Sequence, residues 1–315
     1  MGFFDAFRST KSDAPPSQSL VKTGRHEAQR IKSILGMRSI ESMPAQATRA
    51  FQLASDPKAG TTEFVEIIEQ DEALSARIVR VANSVYFYRG TQVVDIEQAV
   101  AAIGLSELRC LISATMLKNL LQGKDKVRSQ LWANSVGTAL AARMIAPRMM
   151  GIDEGEAFLC GLLHDVGKLV MIRAESERYQ TALARVNEET DIILAEESVY
   201  ELNHVDVGSW ISDIWNFPDC VRNTVLMHHN PWPEDFTKIS ETERIPFLIK
   251  AADCIAHACG LGHQNAFSAL KMRAKAELHL AQKYIGFEDE PFKSFLEQFE
   301  KRFPEEFDLY QLEGA

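Results

Sequence analysis

The dipeptide His164-Asp165, set in the run LLHDVGK, puts an imidazole and a carboxylate side by side. His204 follows 40 residues after His164, the adjacent pair His228-His229 begins another 24 on, and Asp253 lies 24 beyond His229. Imidazole nitrogens and carboxylate oxygens are the donors that zinc and first-row transition metals take, at about 2.0–2.2 Å. A carboxylate beside a histidine can also bridge two ions, because its two oxygens point to different partners. Asp253 stands in the apolar stretch Ile245 to Cys259, where an unpaired carboxylate is costly and a metal or a cationic side chain relieves the cost. The other histidines read more plainly. His26, His263 and His279 fit surface or capping positions. His257, four residues after Asp253 and on the same helix face, fits a hydrogen-bond partner of that site or a packing residue.

The elements that must hold these groups are helical. Pro44 to Leu53 begins with proline at a first-turn position and continues at helical spacing. Asp56-Pro57 breaks it, and Thr61-Thr62-Glu63 opens the next helix, with Phe64, Val65, Ile67 and Ile68 as buried positions. Leu74 to Ala82 repeats the pattern, and Val85 to Gly90 makes a loop with two tyrosines. Val100 to Ile112 then marks two helices joined at Gly104. A polar stretch, Gln122 to Ser129, separates this first bundle (26–122) from a second (130–285). The second opens with a long helix over Trp132–Met150, whose small-residue face, Gly137, Ala139, Ala141 and Ala142, permits close packing. Helical patterns recur at 176–188, 191–202, 204–215, 219–228, 241–260 and 266–284, and residues 286–315 read as a closing helix and tail. Residues 1–25, with Pro15-Pro16 and little apolar periodicity, read as a mobile tail; Phe3, Phe4 and Phe7 are its apolar group. No alternating pattern is long enough for a sheet, so the fold class is all-α.

Composition narrows the function classes. The chain has 315 residues, 46% hydrophobic and 25% charged, enough apolar surface for a sizeable core. Its net charge of −10 argues against a nucleic-acid-binding footprint. No apolar run reaches the length of a membrane span, and the start lacks the order of a signal peptide. The five cysteines contain no C-x-x-C and sit in apolar helical contexts, as free thiols do in a reducing cytoplasm, the compartment expected here.

LLHDVGK resembles the signature of the HD superfamily of metal-dependent phosphohydrolases. Together with ANSVYF and LWANS upstream, and with Glu201, His204, Val207-Gly208, Trp215, Pro218 and His228-His229 downstream, the chain resembles most the HDOD branch of that superfamily, over residues 35 to 255. The resemblance implies an HD-like helical core over 130–285 preceded by a smaller helical bundle. It also implies two metal positions. One would use His164, Asp165, Asp253 and a histidine on the preceding helix; the other would use Asp165, His204, His228 and His229. Here the sequence departs from the active enzymes. Asn134 replaces the expected first histidine, Gln130 stands where an acidic residue often precedes it, and NPWPED replaces the GYP segment of the cyclic-di-GMP hydrolases. The first position has lost a strong ligand and the second keeps all four.

Lys168 has two readings: the phosphate-contacting lysine of the related hydrolases, catalytic if the chain is an enzyme, or a solvent-facing residue at a helix start. The expected function is a bacterial signal-transduction output module that acts through protein partners without catalysis. The alternatives are a metal-dependent phosphohydrolase acting on a nucleotide or cyclic dinucleotide, or a sensor that binds a nucleotide ligand without turnover. The expected cofactor is one divalent transition metal: iron, manganese or zinc.

Overall fold

Short polar residues fix where many of the helices begin. The computed structural model describes residues 25–36, 43–56, 58–84, 86–88, 90–120, 126–262 and 266–310. Residues 1–24 of the expected tail, with Phe3, Phe4 and Phe7, lie outside them, as do residues 122–125 of the polar stretch, Val85, Arg89 and His263. Among the described residues there is no strand, and the fold is all-α.

Helices α1 (Arg25–Ile34), α2 (Ala45–Ala54) and α3 (Thr61–Glu69) are followed by α4 (Glu72–Ala82) and α5 (Ile96–Ile103). Asp71 and Asp95 cap the last two by accepting from the Leu74 and Gln98 N–H groups, a contribution of about 1 kcal/mol each. Gly104, at φ +85°, turns the chain directly into α6 (Leu105–Leu120), as its position between two apolar runs predicts. Next comes α7 (Lys126–Ile145), which corrects the expected span in two ways. It starts inside the polar stretch, and it gives way at Ala146–Arg148 to a 3-10 turn instead of running to Met150. Pro147 is the physical reason for the early end, since it has no N–H for the ladder and its ring clashes with the carbonyl four residues back.

The remaining helices are α8 (Glu154–Leu163), α9 (Val166–Ala174), α10 (Ser176–Leu183), α11 (Ile192–Tyr200), α12 (His204–Ile214), α13 (Asp219–Met227), α14 (Glu241–Ala258), α15 (Phe267–Ile285) and α16 (Asp289–Tyr310). Asp153 and Asp191 cap α8 and α11, Asn203 and Asp206 form a reciprocal capping box on α12, and at the start of α14 the Glu243 carboxylate accepts from both the N–H and the hydroxyl of Ser240.

α7 runs through the centre, packed on α8 and α14, with Val136, Ala139, Leu140 and Ala142 fully buried. One hydrophobic cluster extends from Ile31 to Tyr310. α16 is fastened to it by buried charges. Arg143 of α7 pairs with Glu107 of α6 and with Glu306 of α16 (2.6 Å), and the Tyr310 hydroxyl donates to Glu107 (2.6 Å).

Two glycines set how closely the site-bearing helices approach. A Cβ on Gly161 would lie 2.7 Å from the Ala139 Cα, which fixes α8 against α7. A Cβ on Gly167 would lie 1.9 Å from the His204 carbonyl oxygen, so the start of α9 rests on the start of α12 backbone to backbone. Because backbone cannot yield as a flexible side chain can, Gly167→Ala is expected to cost about 3 kcal/mol, the upper end of the usual overpacking penalty. Urea denaturation measures this, and an unchanged midpoint would show that α9 and α12 separate freely.

Candidate metal centre

Every residue of the candidate set sits at or near a helix end, except those on α7 and α14. His164 closes α8, Asp165 follows it at φ −101°, ψ 20°, and Lys168 occupies the first turn of α9. His204 is the first residue of α12, and His228 closes α13 with His229 next in the chain. Asn134 and Thr138 lie one turn apart on α7; Asp253 and His257 lie one turn apart on α14.

Four of these side chains converge as a ligand set. One donor atom each from Asp165, His204, His228 and His229 lie within 4.8 Å of one another. Asp165 Oδ1 stands 3.4 Å from His204 Nε2 and 3.5 Å from His228 Nε2, and these two nitrogens are 3.5 Å apart. Ligand atoms on a tetrahedron around an ion at about 2.1 Å stand about 3.4 Å from each other.

The hydrogen-bond roles agree with that geometry. His204 Nδ1 donates to Glu196 (2.7 Å), and His228 Nδ1 donates to the carbonyls of Thr224 and Val225 (3.0 and 3.1 Å). Each contact spends the ring's one N–H and leaves the Nε2 lone pair facing inward, the tautomer that binds metal. Asp165 Oδ1 and His229 Nε2 are buried without any hydrogen-bond partner. Burial holds the His228 pKa down at about 4 despite its contact with Asp165, and burial together with His228 and His204 holds His229 well below the ordinary range. Both rings are therefore neutral and ready to ligate at neutral pH. The residues present fit a single divalent transition ion with three nitrogens and one oxygen.

The other side of Asp165 is built from donors. Its Oδ2 accepts from Lys168 Nζ at 2.6 Å and faces His164 Nε2 at 3.3 Å. Lys168 is buried, which settles against the solvent-facing reading of this residue. Asp253 Oδ1 accepts from Asn134 Nδ2 (3.1 Å) and Thr138 Oγ1 (3.2 Å), with His257 Nε2 at 3.5 Å and His164 Nε2 at 3.6 Å. His164 Nδ1 donates to the Gly161 carbonyl (2.7 Å). Burial alone would lower the His164 pKa, but the carboxylates of Asp165 and Asp253 overcome it and hold the ring up at about 10. Burial likewise acts against the charge on Asp165, yet His164 and Lys168 keep that carboxyl well below its usual range. Asp253 therefore meets amide, hydroxyl and imidazole groups where the first metal position would lie.

One functional residue escapes the sequence reading. Glu196 of α11 is fully buried; its Oε2 accepts from both the backbone N–H and Nδ1 of His204 (2.7 Å each), and its Oε1 accepts from the Tyr179 hydroxyl (2.6 Å). The sequence pattern points instead to Glu201, which is exposed at φ +60° and offers its carbonyl to Arg30 (2.7 Å). The signal for Glu196 is the general need of a ligating histidine for a carboxylate on its other nitrogen. Beyond His229, Trp232 stacks on Phe247 (ring centroids 5.9 Å apart) and donates to Glu277 (2.8 Å), pinning the chain that follows the paired histidines. His229 is the one ligand of the four with partial exposure.

Residues 40–231 match the family model for the HDOD domain. An uncharacterized protein of Treponema pallidum (strain Nichols) is 27% identical over 209 residues; the match covers 64% of this chain, which spans about 40% of that relative's length. The fold is similar to that of an HDOD domain protein of unknown function from Geobacter sulfurreducens, with a TM-score of 0.69, 24% identity and coverage of 91% of this chain and 98% of that one. It is also similar to a protein of Shewanella amazonensis provisionally described as a phosphohydrolase, with a TM-score of 0.64, 20% identity and coverage of 91% and 98%. Both structural likenesses speak to the fold alone.

Two outcomes follow from the site's geometry. Glu196→Ala is expected to weaken metal retention about 10- to 100-fold, measured by competition with a chromogenic chelator, because His204 loses the partner that orients it. For the chelated protein, stability should fall on both sides of neutrality. His228 contributes stability above about pH 6.5 that is lost as pH falls towards 4, whereas His164 contributes stability below about pH 6.5 that is lost as pH rises through about 10. Urea midpoints across pH 4.5–10 test this, and His164→Gln should flatten the alkaline limb.

Proposed function

The chain belongs to the HDOD family, and on that premise we propose that it is a bacterial signalling output module that acts through protein partners and does not catalyse phosphoester hydrolysis. The observation that carries this reading is the unequal chemistry of the two sides of Asp165. Two-metal hydrolysis uses a pair of ions about 3.5–4 Å apart to stabilise the attacking and leaving oxygens. Here one side of Asp165 presents inward lone pairs, while the other presents the Lys168 ammonium, and Asp253 beyond it is occupied by Asn134 and Thr138. Asp165, His204, His228 and His229 would hold one ion of zinc, iron or manganese, which supplies a positive centre in the bundle when bound. Glu196 orients His204, and Lys168 balances the carboxylate of Asp165.

A surface for partners is available on the loop between α4 and α5. Asn83 brackets Val93 with two hydrogen bonds, to its N–H and its carbonyl (2.9 and 2.7 Å), and the same loop exposes Tyr86, Tyr88 and Val94. Exposed tyrosines are among the usual anchors of protein interfaces. The cytoplasm is the compartment that suits such a role. The intact four-ligand set favours a second reading, a metal-dependent phosphohydrolase acting on a nucleotide or cyclic dinucleotide, with Lys168 meeting the substrate phosphate.

Elemental analysis of protein purified without chelator, followed by a phosphodiesterase assay with manganese or iron, separates the two. Under the signalling reading the wild type holds at most one ion, Asn134→His moves the stoichiometry towards two, and cyclic di-GMP turnover does not exceed that of the His164→Ala, Asp165→Ala double variant. Metal-dependent turnover abolished by the double variant would establish the enzyme instead.

A further inference from the structure

The hydrogen bonds around the metal centre continue past Glu196 to a third helix. Tyr179 of α10 is fully buried and its hydroxyl donates to Glu196 Oε1 (2.6 Å), while Glu196 Oε2 accepts from both the N–H and Nδ1 of His204 (2.7 Å each). Glu196 therefore joins α10, α11 and α12. α10 follows α9 after the single residue Glu175, and α9 begins at Asp165, whose Oδ1 lies 3.4 Å from His204 Nε2. The chain from Asp165 to Tyr179 thus closes into a ring through Glu196 and His204 back to Asp165.

The bond from Tyr179 does what the two from His204 cannot. Both of those meet one oxygen, and the carboxylate end of a glutamate turns easily, because its terminal torsion is broad. A donor on the other oxygen stops that turn. Burial and the Glu196 carboxylate push the phenol well above its ordinary range, so its oxygen keeps the proton it donates. The backbone beneath it is also held. Arg178, the preceding residue, donates to the carbonyls of Ile34 (2.9 Å) and Val199 (3.0 Å), which ties α10 to the ends of α1 and α11.

We propose that Tyr179 is a positioning residue of the metal centre: through Glu196 it holds the His204 ring with Nε2 turned towards Asp165. The inference rests on the four-ligand reading of the centre and adds a residue from a helix that supplies none of the four. Tyr200 provides the contrast. It lies one turn after Glu196 on α11 and is also buried, but its hydroxyl has no hydrogen-bond partner among the described residues. Removing either hydroxyl leaves the ring in place, and only that of Tyr179 reaches Glu196.

Two measurements on the full chain test this together: zinc affinity by competition with a chromogenic chelator, and exchange of the His204 Nδ1 proton in chelated protein, followed by NMR with isotope-labelled histidine. Tyr179→Phe should weaken zinc binding about 10-fold, the lower end of the effect of partners behind a ligating histidine, and Tyr200→Phe should leave it unchanged. In the Glu196→Ala background Tyr179→Phe should add no further loss, because its effect passes through Glu196. The Nδ1 proton, identified by its loss in His204→Gln, should exchange with water faster in Tyr179→Phe than in the wild type or Tyr200→Phe. Unchanged zinc affinity or unchanged proton exchange in Tyr179→Phe overturns the inference. So do equal losses in the two phenylalanine variants, or full additivity of Tyr179→Phe with Glu196→Ala. Wild-type protein that takes up no zinc removes the four-ligand reading instead, and the proton exchange then decides by itself whether Tyr179 holds His204.

Discussion

A carboxylate with no access to water must find its counter-charges inside the protein, and Asp165 finds different ones on its two sides. Oδ2 is met by the Lys168 ammonium and the His164 ring, and Oδ1 faces the inward nitrogens of His204 and His228. Much of the helix arrangement serves this one group. α8 and α9 meet at it, α12 begins at it, α13 ends beside it, and α7 and α14 bring the side chains that surround His164. A buried charge tolerates little error in position, because a partner lost leaves a penalty of several kcal/mol. The glycine contacts of α8 on α7 and of α9 on α12 are therefore conditions for the site as much as features of packing.

Much of this was legible in the sequence, and the parts that were not share a cause. Helical periodicity, the Gly104 joint and the polar caps are local signals, and the all-α fold follows from them. The histidines and aspartates were legible because their types are rare in apolar helices and carry metal chemistry. What sequence could not show is which face each residue turns. Lys168, three residues after Asp165, could as well point to water as inward. Glu196 and Glu201 sit five residues apart around the end of α11, and only the packing of α12 decides that Glu196 meets His204. The end of α7 departs from its sequence pattern for a different reason: the apolar pattern continues through Pro147, and backbone chemistry overrides it.

The charged network around Arg143 distributes the same physics more widely. Glu107, Glu306 and Tyr310 come from α6 and α16, so one guanidinium joins segments separated by some 200 positions in the chain. α16 lies outside the residues matched by the family model, yet its buried carboxylate is as firmly partnered as the residues within it. A buried ion network of this kind adds little net stability compared with apolar packing, but it strongly disfavours a displaced helix, which would leave charges unpaired.

The partial exposure of His229 has a kinetic meaning. Three of the four converging ligands are buried within the bundle and His229 is half-buried, so of the four it stands nearest to solvent. Exchange of an ion held there would require its buried donor atoms to be uncovered, and local opening at the end of α13 would uncover those of His228 and His229 together. An ion held by donors so placed would leave more slowly than one on exposed side chains, because part of the bundle must open before solvent reaches it.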